Sequence, residues 1–190
     1  MPTPNRTAVI IVAAGRGLRA GPGGPKQYRT LGGRSVISRA MAAFCGHPQV
    51  AAVQPVVNPD DIAIFNQAVG NIRALAPVNG GATRQASVHA GLEALVATAP
   101  DIVLIHDAAR PFANNALIAR AIEAATITGA AVPVIPVTDT IKQVDARGHV
   151  DATPERAKLR IAQTPQAFRY DVILEAHRRA AREGRDDFTD

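Results

Sequence analysis

Arg19 and Lys26 lie in a stretch built mostly of glycine, proline and alanine: Ala14-Gly15-Arg16-Gly17-Leu18-Arg19-Ala20-Gly21-Pro22-Gly23-Gly24-Pro25-Lys26. Glycines let backbone N–H groups close on phosphate oxygens, and a Lys or Arg neutralises the charge that remains. The pattern predicts a loop that holds a nucleoside triphosphate. A glycine-rich surface loop with incidental cations is the other reading, and this stretch alone does not exclude it. Two better-known phosphate loops fit poorly. Gly15-Arg16-Gly17-Leu18-Arg19-Ala20 matches a dinucleotide fingerprint, but Gly21 to Pro25 would break the helix that fingerprint opens. The acid it needs further on is missing, since Ser35 to Phe44 holds no carboxylate. A Walker A loop would place Ser or Thr after the lysine, and here Gln27 follows.

A second constellation is His106-Asp107-Ala108-Ala109-Arg110-Pro111, directly after the apolar run Ile102-Val103-Leu104-Ile105. An Asp just past a buried strand stands where ligands bind in open α/β sheets, able to hold Mg²⁺ through oxygen or to accept from a sugar hydroxyl. Arg110 offers a fork for phosphate. The same two residues could equally be a pair that fixes a turn. A third group is Asn79-Gly80-Gly81-Ala82-Thr83-Arg84 with Ser87-Val88. The double glycine permits close backbone approach to a flat ligand such as a base, and Thr83 can cap a helix carrying Ser87. A plain helix N-terminus explains it as well.

Alternating apolar runs and amphipathic stretches must position these groups. Strands are predicted at Thr7–Ala13, Ala51–Val57, Ile72–Val78, Ile102–His106 and Ala130–Val137. Helices are predicted at Ser35–Phe44, Asp60–Ala68, Thr83–Val96 and Asn114–Thr128. This order argues for an α/β fold with a doubly wound, mostly parallel sheet. At 190 residues the chain reads as a single domain. Residues 139–158 break the alternation. Asp145-Ala146-Arg147-Gly148 is a hairpin turn signal between polar flanks. A hairpin there would form a projecting β-arm with little of its own to bury.

Aromatics are 4% and apolar residues 47%, so the core must be Ala, Val, Ile and Leu. The net charge of +5 is spread along the chain without alternating aromatics, which argues against a nucleic-acid partner and suits anionic small substrates. The densest cationic cluster, His177-Arg178-Arg179 with Arg182 and Arg185, reads as a solvated helix face. No apolar run approaches the ~20 residues of a membrane span. The single cysteine, Cys45, has no internal partner for a disulfide and fits a reducing cytoplasm.

Three motifs stand in order, each after a predicted strand: Ala13-Ala14-Gly15-Arg16-Gly17-Leu18-Arg19 with Pro25-Lys26-Gln27-Tyr28, then Gly80-Gly81 to Ser87-Val88, then His106 to Pro111. With Asp139-Thr140, Arg156, Thr164-Pro165-Gln166 and Phe188-Thr189-Asp190, the chain resembles the 2-C-methyl-D-erythritol 4-phosphate cytidylyltransferase family over nearly its whole length. The resemblance implies a Rossmann-like domain that dimerises through the arm and joins CTP to a polyol phosphate with Mg²⁺. Arg19 and Lys26 would grip the triphosphate. Ala13, Ala14, Gly15, Gly17, Gly80, Gly81 and Ser87 would hold the cytidine. Asp107, Arg110, Thr140, Arg156 and Thr189 would line the sugar-phosphate side, with Asp107 the candidate metal ligand and Arg156 serving the neighbouring subunit's site. The family pattern continues past Asp190 with a helix, a strand and a further lysine, and some members are fused to 2-C-methyl-D-erythritol 2,4-cyclodiphosphate synthase. A cytidylyltransferase for another polyol phosphate, such as ribitol 5-phosphate, and a catalytically silent nucleotide-binding protein are the alternatives.

Overall fold

The computed structural model describes residues 6–15 and 24–185. Gly17, Arg19 and Thr189 therefore lie outside the described residues. The strands are β1 (Thr7–Ala13), β2 (Thr30–Leu31), β3 (Arg34–Ser35), β4 (Val50–Val57), β5 (Val78–Asn79), β6 (Ile102–Asp107), β7 (Ala130–Ala131), β8 (Val134–Pro136), β9 (Gln143–Val144), β10 (Val150–Ala152), β11 (Arg160–Ala162) and β12 (Gln166–Arg169). The helices are α1 (Val36–Cys45), α2 (Ile62–Val69), α3 (Arg84–Ala94), α4 (Asn115–Thr128) and α5 (Tyr170–Arg182). Among the described residues, no helix is long and apolar enough to cross a membrane.

The central sheet runs β5-β4-β1-β6-β12-β7. β1 pairs in parallel with both β4 and β6, and β12 runs antiparallel between β6 and β7. Because successive side chains of a strand point to opposite faces, β1 feeds two cores. Val9, Ile11 and Ala13 pack with Ile37, Met41, Phe44 and Ile118 on the side of α1, α2 and α4. Ala8 and Ile10 pack with Val88, Leu92, Ile173 and Leu174 on the side of α3 and α5. Burial on both faces explains why β1 and β6 read as unbroken apolar runs. Local chemistry sets the helix ends. Ser35, Thr83 and Asn114 accept from backbone N–H groups of α1, α3 and α4. Gly129, at φ 87°, closes α4 in the left-handed region.

The predicted strand Ile72–Val78 is only Val78–Asn79. Pro77 has no N–H to give a ladder, and the Ala76 carbonyl accepts instead from the Gln54 side chain at 2.9 Å. The predicted strand Ala130–Val137 is two strands. β7 joins the main sheet, whereas β8 leaves it after Pro133 and pairs with β11. The arm is therefore longer than residues 139–158, rising on the β8–β11 ladder and ending in the β9–β10 hairpin. At its tip Asp145 Oδ1 accepts from the N–H groups of Arg147 and His149. Nor is the arm only polar. Val134, Ile135, Val144, Val150 and Ile161 are each between 45% and 61% exposed. The cluster expected to be a solvated face of α5 is so in part: Arg179 and Arg182 are exposed and pair with Glu183 and Glu175, whereas His177 and Arg178 dock the helix on α3. His177 is buried, and Arg178 clasps both carboxylate oxygens of Glu93 at 2.6 and 2.8 Å. That guanidinium holds the Glu93 carboxyl below its ordinary range.

Gly91 fixes how closely α3 approaches the sheet. A Cβ there would meet Ile10 Cγ2 at 2.8 Å and Val56 Cγ2 at 2.9 Å, both on buried side chains. Gly91→Ala should therefore lower unfolding stability by about 1–2 kcal/mol despite alanine's better helix propensity. Urea denaturation checks this, and a stability equal to or above that of the unaltered protein would contradict the packing.

Candidate functional site

The parallel register brings three loops to one edge of the sheet. Val12 of β1 stands opposite Asp107 of β6, and Ala13 stands opposite Val57 of β4. Ala108 N–H donates to the Val12 carbonyl at 3.0 Å, so the chain past β6 stays beside the end of β1. Ala13, Ala14 and Gly15 thus neighbour the Asp107 turn.

Lys26 is exposed in a short 3-10 turn opened by Pro25. The residue that anchors this turn is Gln27, only 3% exposed. Its side-chain amide donates to the carbonyls of Ala13 at 2.8 Å and Gly15 at 3.0 Å. Gly15 and Gln27 are therefore held together at the end of β1. Gln27 stood in the sequence motif without a role, because its partners are strand carbonyls, which no spacing pattern marks.

Gly80 and Gly81 form a shelf beside Ala14. A Cβ on Gly80 would fall 2.3 Å from Ala14 Cβ and 2.9 Å from Ser87 Oγ, so only glycine permits this approach. Ser87 is 2% exposed, and its hydroxyl is already engaged. It accepts from Gly81 N–H at 3.1 Å and donates to the Thr83 carbonyl at 2.9 Å. Ser87 thus shapes the shelf from behind.

Asp107 is the hub. Its Oδ2 accepts from Arg110 Nε at 3.1 Å, and its Oδ1 accepts from Arg84 Nε and Nη2, each at 3.4 Å. The turn-fixing reading of Asp107 and Arg110 is realised, since Arg110 N–H also donates to the Asp107 carbonyl at 3.0 Å. The functional reading survives beside it, because these side chains remain about a third exposed or more: 32% for Arg84, 31% for Asp107 and 43% for Arg110. Arg84 was unassigned in the sequence. Its signal was its place one residue after the Thr83 cap, where the first turn of a helix meets the sheet edge. Among the described residues, two guanidiniums share this one carboxylate, and such forks suit an anion. Among the described residues no group of three His, Cys, Asp or Glu could hold a metal ion. Asp107 supplies one hard oxygen donor set, which suits a Mg²⁺ carried mainly by phosphates.

Thr140 and Arg156 are exposed on the arm, where Arg156 donates to the Thr138 carbonyl at 2.7 Å. Among the described residues, no hydrogen bond or ion pair joins either residue to Asp107 or Lys26 within the chain. Cys45 closes α1, its thiol donating to the Arg73 carbonyl at 3.2 Å and raised in pKa by burial, which fits packing. A groove of about 580 Å³ lined by Arg6, Gln49, Glu123 and Ile127 lies at the opposite end of the sheet.

Residues 7–190 match the family described as IspD: 2-C-methyl-D-erythritol 4-phosphate cytidylyltransferase. A bifunctional enzyme IspD/IspF of Nitrobacter hamburgensis is 81% identical over 190 residues, covering 100% of this chain and 47% of the relative. One from Nitrobacter winogradskyi is 76% identical, covering 100% and 48%. The chain thus spans about half the length of the curated relatives it matches. Among solved structures, 2-C-methyl-D-erythritol 4-phosphate cytidylyltransferase from Thermus thermophilus aligns with TM-score 0.77 at 35% identity, covering 97% of this chain and 80% of that one. A 4-diphosphocytidyl-2C-methyl-D-erythritol synthase from Anaerococcus prevotii aligns with TM-score 0.81 at 27% identity, covering 98% and 78%.

Behind the hub, His106 is fully buried, and burial pushes its imidazole down to about 4. The unfolded chain takes up this proton near pH 6.5, the folded chain only near 4. Its contribution to stability is therefore complete above pH 6.5 and lost as pH falls from 6.5 to 4. In metal-free buffer, the protein should lose about 2 kcal/mol more than a His106→Gln variant between pH 7.5 and pH 5. Guanidinium denaturation at both pH values checks it, and equal losses would contradict the assignment.

Proposed function

We propose that this chain, which belongs to the 2-C-methyl-D-erythritol 4-phosphate cytidylyltransferase family, joins CTP to 2-C-methyl-D-erythritol 4-phosphate. The products are CDP-methylerythritol and pyrophosphate, in nonmevalonate isoprenoid biosynthesis. A phosphate oxygen of the polyol phosphate attacks the α-phosphorus of CTP. A new P–O bond forms as the bond to the β-phosphate bridge breaks, and pyrophosphate leaves with the electron pair. A phosphate monoester is already an anionic nucleophile, so the enzyme's task is to bring anions together and stabilise the charge that develops.

The observation that carries this reading is the Arg84–Asp107–Arg110 hub joined to the Gly80–Gly81 shelf through the first turn of α3. The shelf and Ala13–Gly15 suit a base and ribose, with Ser87 acting through the shelf and Gly17 in the same loop. Lys26, with Arg19, takes the triphosphate. Asp107, Arg110 and Thr189 serve the polyol phosphate. Asp107 would offer the protein oxygen to a Mg²⁺ carried by the triphosphate, and that ion would offset phosphate charge. The exposed apolar row along the arm supports a homodimer in which Thr140 and Arg156 reach the partner's site. The single cysteine supports a cytoplasmic setting.

Pyrophosphate release with CTP and a panel of polyol phosphates tests the activity. Methylerythritol phosphate should give the highest kcat/KM, and preference for ribitol 5-phosphate would reassign the substrate. Lys26→Ala should cost about 10²–10³ in kcat with an unchanged melting temperature, because Lys26 is exposed. Near-unchanged turnover would remove Lys26 from the chemistry.

The arm makes a separate prediction. Mixing Arg156→Ala subunits with Lys26→Ala subunits, each inactive alone, should restore about a quarter of full activity, one intact site per heterodimer across a two-fold interface. Confirmed subunit exchange without recovered activity would place Arg156 in its own chain's site or outside the reaction.

A further inference from the structure

The segment between β11 and β12, with the first residue of β12, aims three polar side chains at the hub, one at each of its parts. Gln163 Oε1 accepts from Arg110 Nη1. Gln166 Oε1 accepts from Arg84 Nη2 at 3.0 Å. Thr164, 8% exposed, turns inward, with its hydroxyl 2.9 Å from His106 Nδ1 and 3.4 Å from the Asp107 backbone nitrogen. On the far side of its ring, His106 Nε2 lies 2.9 Å from the Arg110 carbonyl oxygen. The ring is seated against Phe44, with centroids 4.7 Å apart.

One proton assignment satisfies every bond. A carbonyl only accepts, so Nε2 of a neutral ring carries the hydrogen and Nδ1 is left as an acceptor. The Thr164 hydroxyl must then donate to Nδ1, which leaves its lone pairs to accept from Asp107 N–H. The chain of bonds runs from Asp107 N–H through Thr164 and His106 to the Arg110 carbonyl. It grips both backbone ends of the turn whose side chains form the hub. The Gly80–Gly81 shelf is held separately, by Ser87 and by contact with Ala14.

We infer that His106 and Thr164 are positioning residues for the polyol-phosphate half of the site. They aim Asp107 and Arg110 from behind without touching substrate. The inference rests on the proposed cytidylyltransferase reaction. Its consequence is selective. A flaw in this chain of bonds misaims the hub and leaves the nucleotide shelf in place, whereas a residue that only supported the fold would weaken both halves alike.

Thr164→Val removes the hydroxyl at nearly constant volume, and Thr164→Ser restores it. Steady-state pyrophosphate release should show the KM for methylerythritol phosphate raised about fivefold to tenfold in Thr164→Val, the factor that one neutral hydrogen bond represents. The KM for CTP should stay within about twofold, and Thr164→Ser should return the first KM to within about twofold of the unaltered value. Equal rises in both KM values, or no rise in either, would overturn the inference. Should Thr164→Val fail to fold, imidazole ¹⁵N spectra of the unaltered protein at pH 7.5 still decide, with His106 assigned by its loss in His106→Gln. A neutral Nε2–H ring supports the inference, and an Nδ1–H or doubly protonated ring overturns it. That spectrum needs no turnover. A protein with the expected ring but no pyrophosphate release from any polyol phosphate would instead sink the proposed activity.

Discussion

Everything at the site hangs on the parallel register that sets Val12 opposite Asp107. β1 lies between β4 and β6, so the chain emerging from each of the three strands turns at the same edge. Fixing β1 by burial on both faces leaves its final residues little freedom, and a short shelf can then be built against them. Ala14 needs glycine at position 80 for that contact, and Gln27 needs the Ala13 carbonyl. A one-residue slip of β6 would reverse its faces. His106 would leave its seat against Phe44 and Asp107 would turn from Arg84, dissolving the hub and the buried bonds behind it together.

The electrostatics follow from the same placement. A lone exposed arginine samples many rotamers, and gathering two of them near a phosphate costs entropy. Asp107 limits this cost by holding Arg84 and Arg110 from elements distant in sequence before any ligand arrives. Preorganised charge of this kind stabilises developing phosphate charge without reorganising during the reaction.

The fold was legible wherever burial governed the residue pattern. β1, β4 and β6 announced themselves as apolar runs, α1 and α4 as helical stretches, and α3 by its Thr83 cap as well. β12 was missed because Gln166-Ala167-Phe168-Arg169 is too short and mixed to show a period, and is held by its ladder to β6. The arm was legible as a turn signal at Asp145–Gly148, but its length was not, since β8 and β11 pair across a long separation that no local pattern encodes. At the site, the sequence displayed residues with evident chemistry, Lys26, Asp107 and Arg110. Gln27, Arg84 and Thr164 stayed hidden because their roles depend on which backbone or side chain the fold sets beside them. Ser87 was noticed, yet only the structure shows that its hydroxyl is spent on Gly81 and Thr83.

Nucleotide and polyol phosphate are proposed to meet at the edge formed by β1, β5 and β6. A crystal structure of the protein soaked with CTP and Mg²⁺ tests it most directly. Cytosine is expected against Gly80–Gly81 and Ala13–Gly15, with the triphosphate running toward Lys26. Nucleotide density in the groove at the other end of the sheet, beside Arg6 and Ile127, would contradict it.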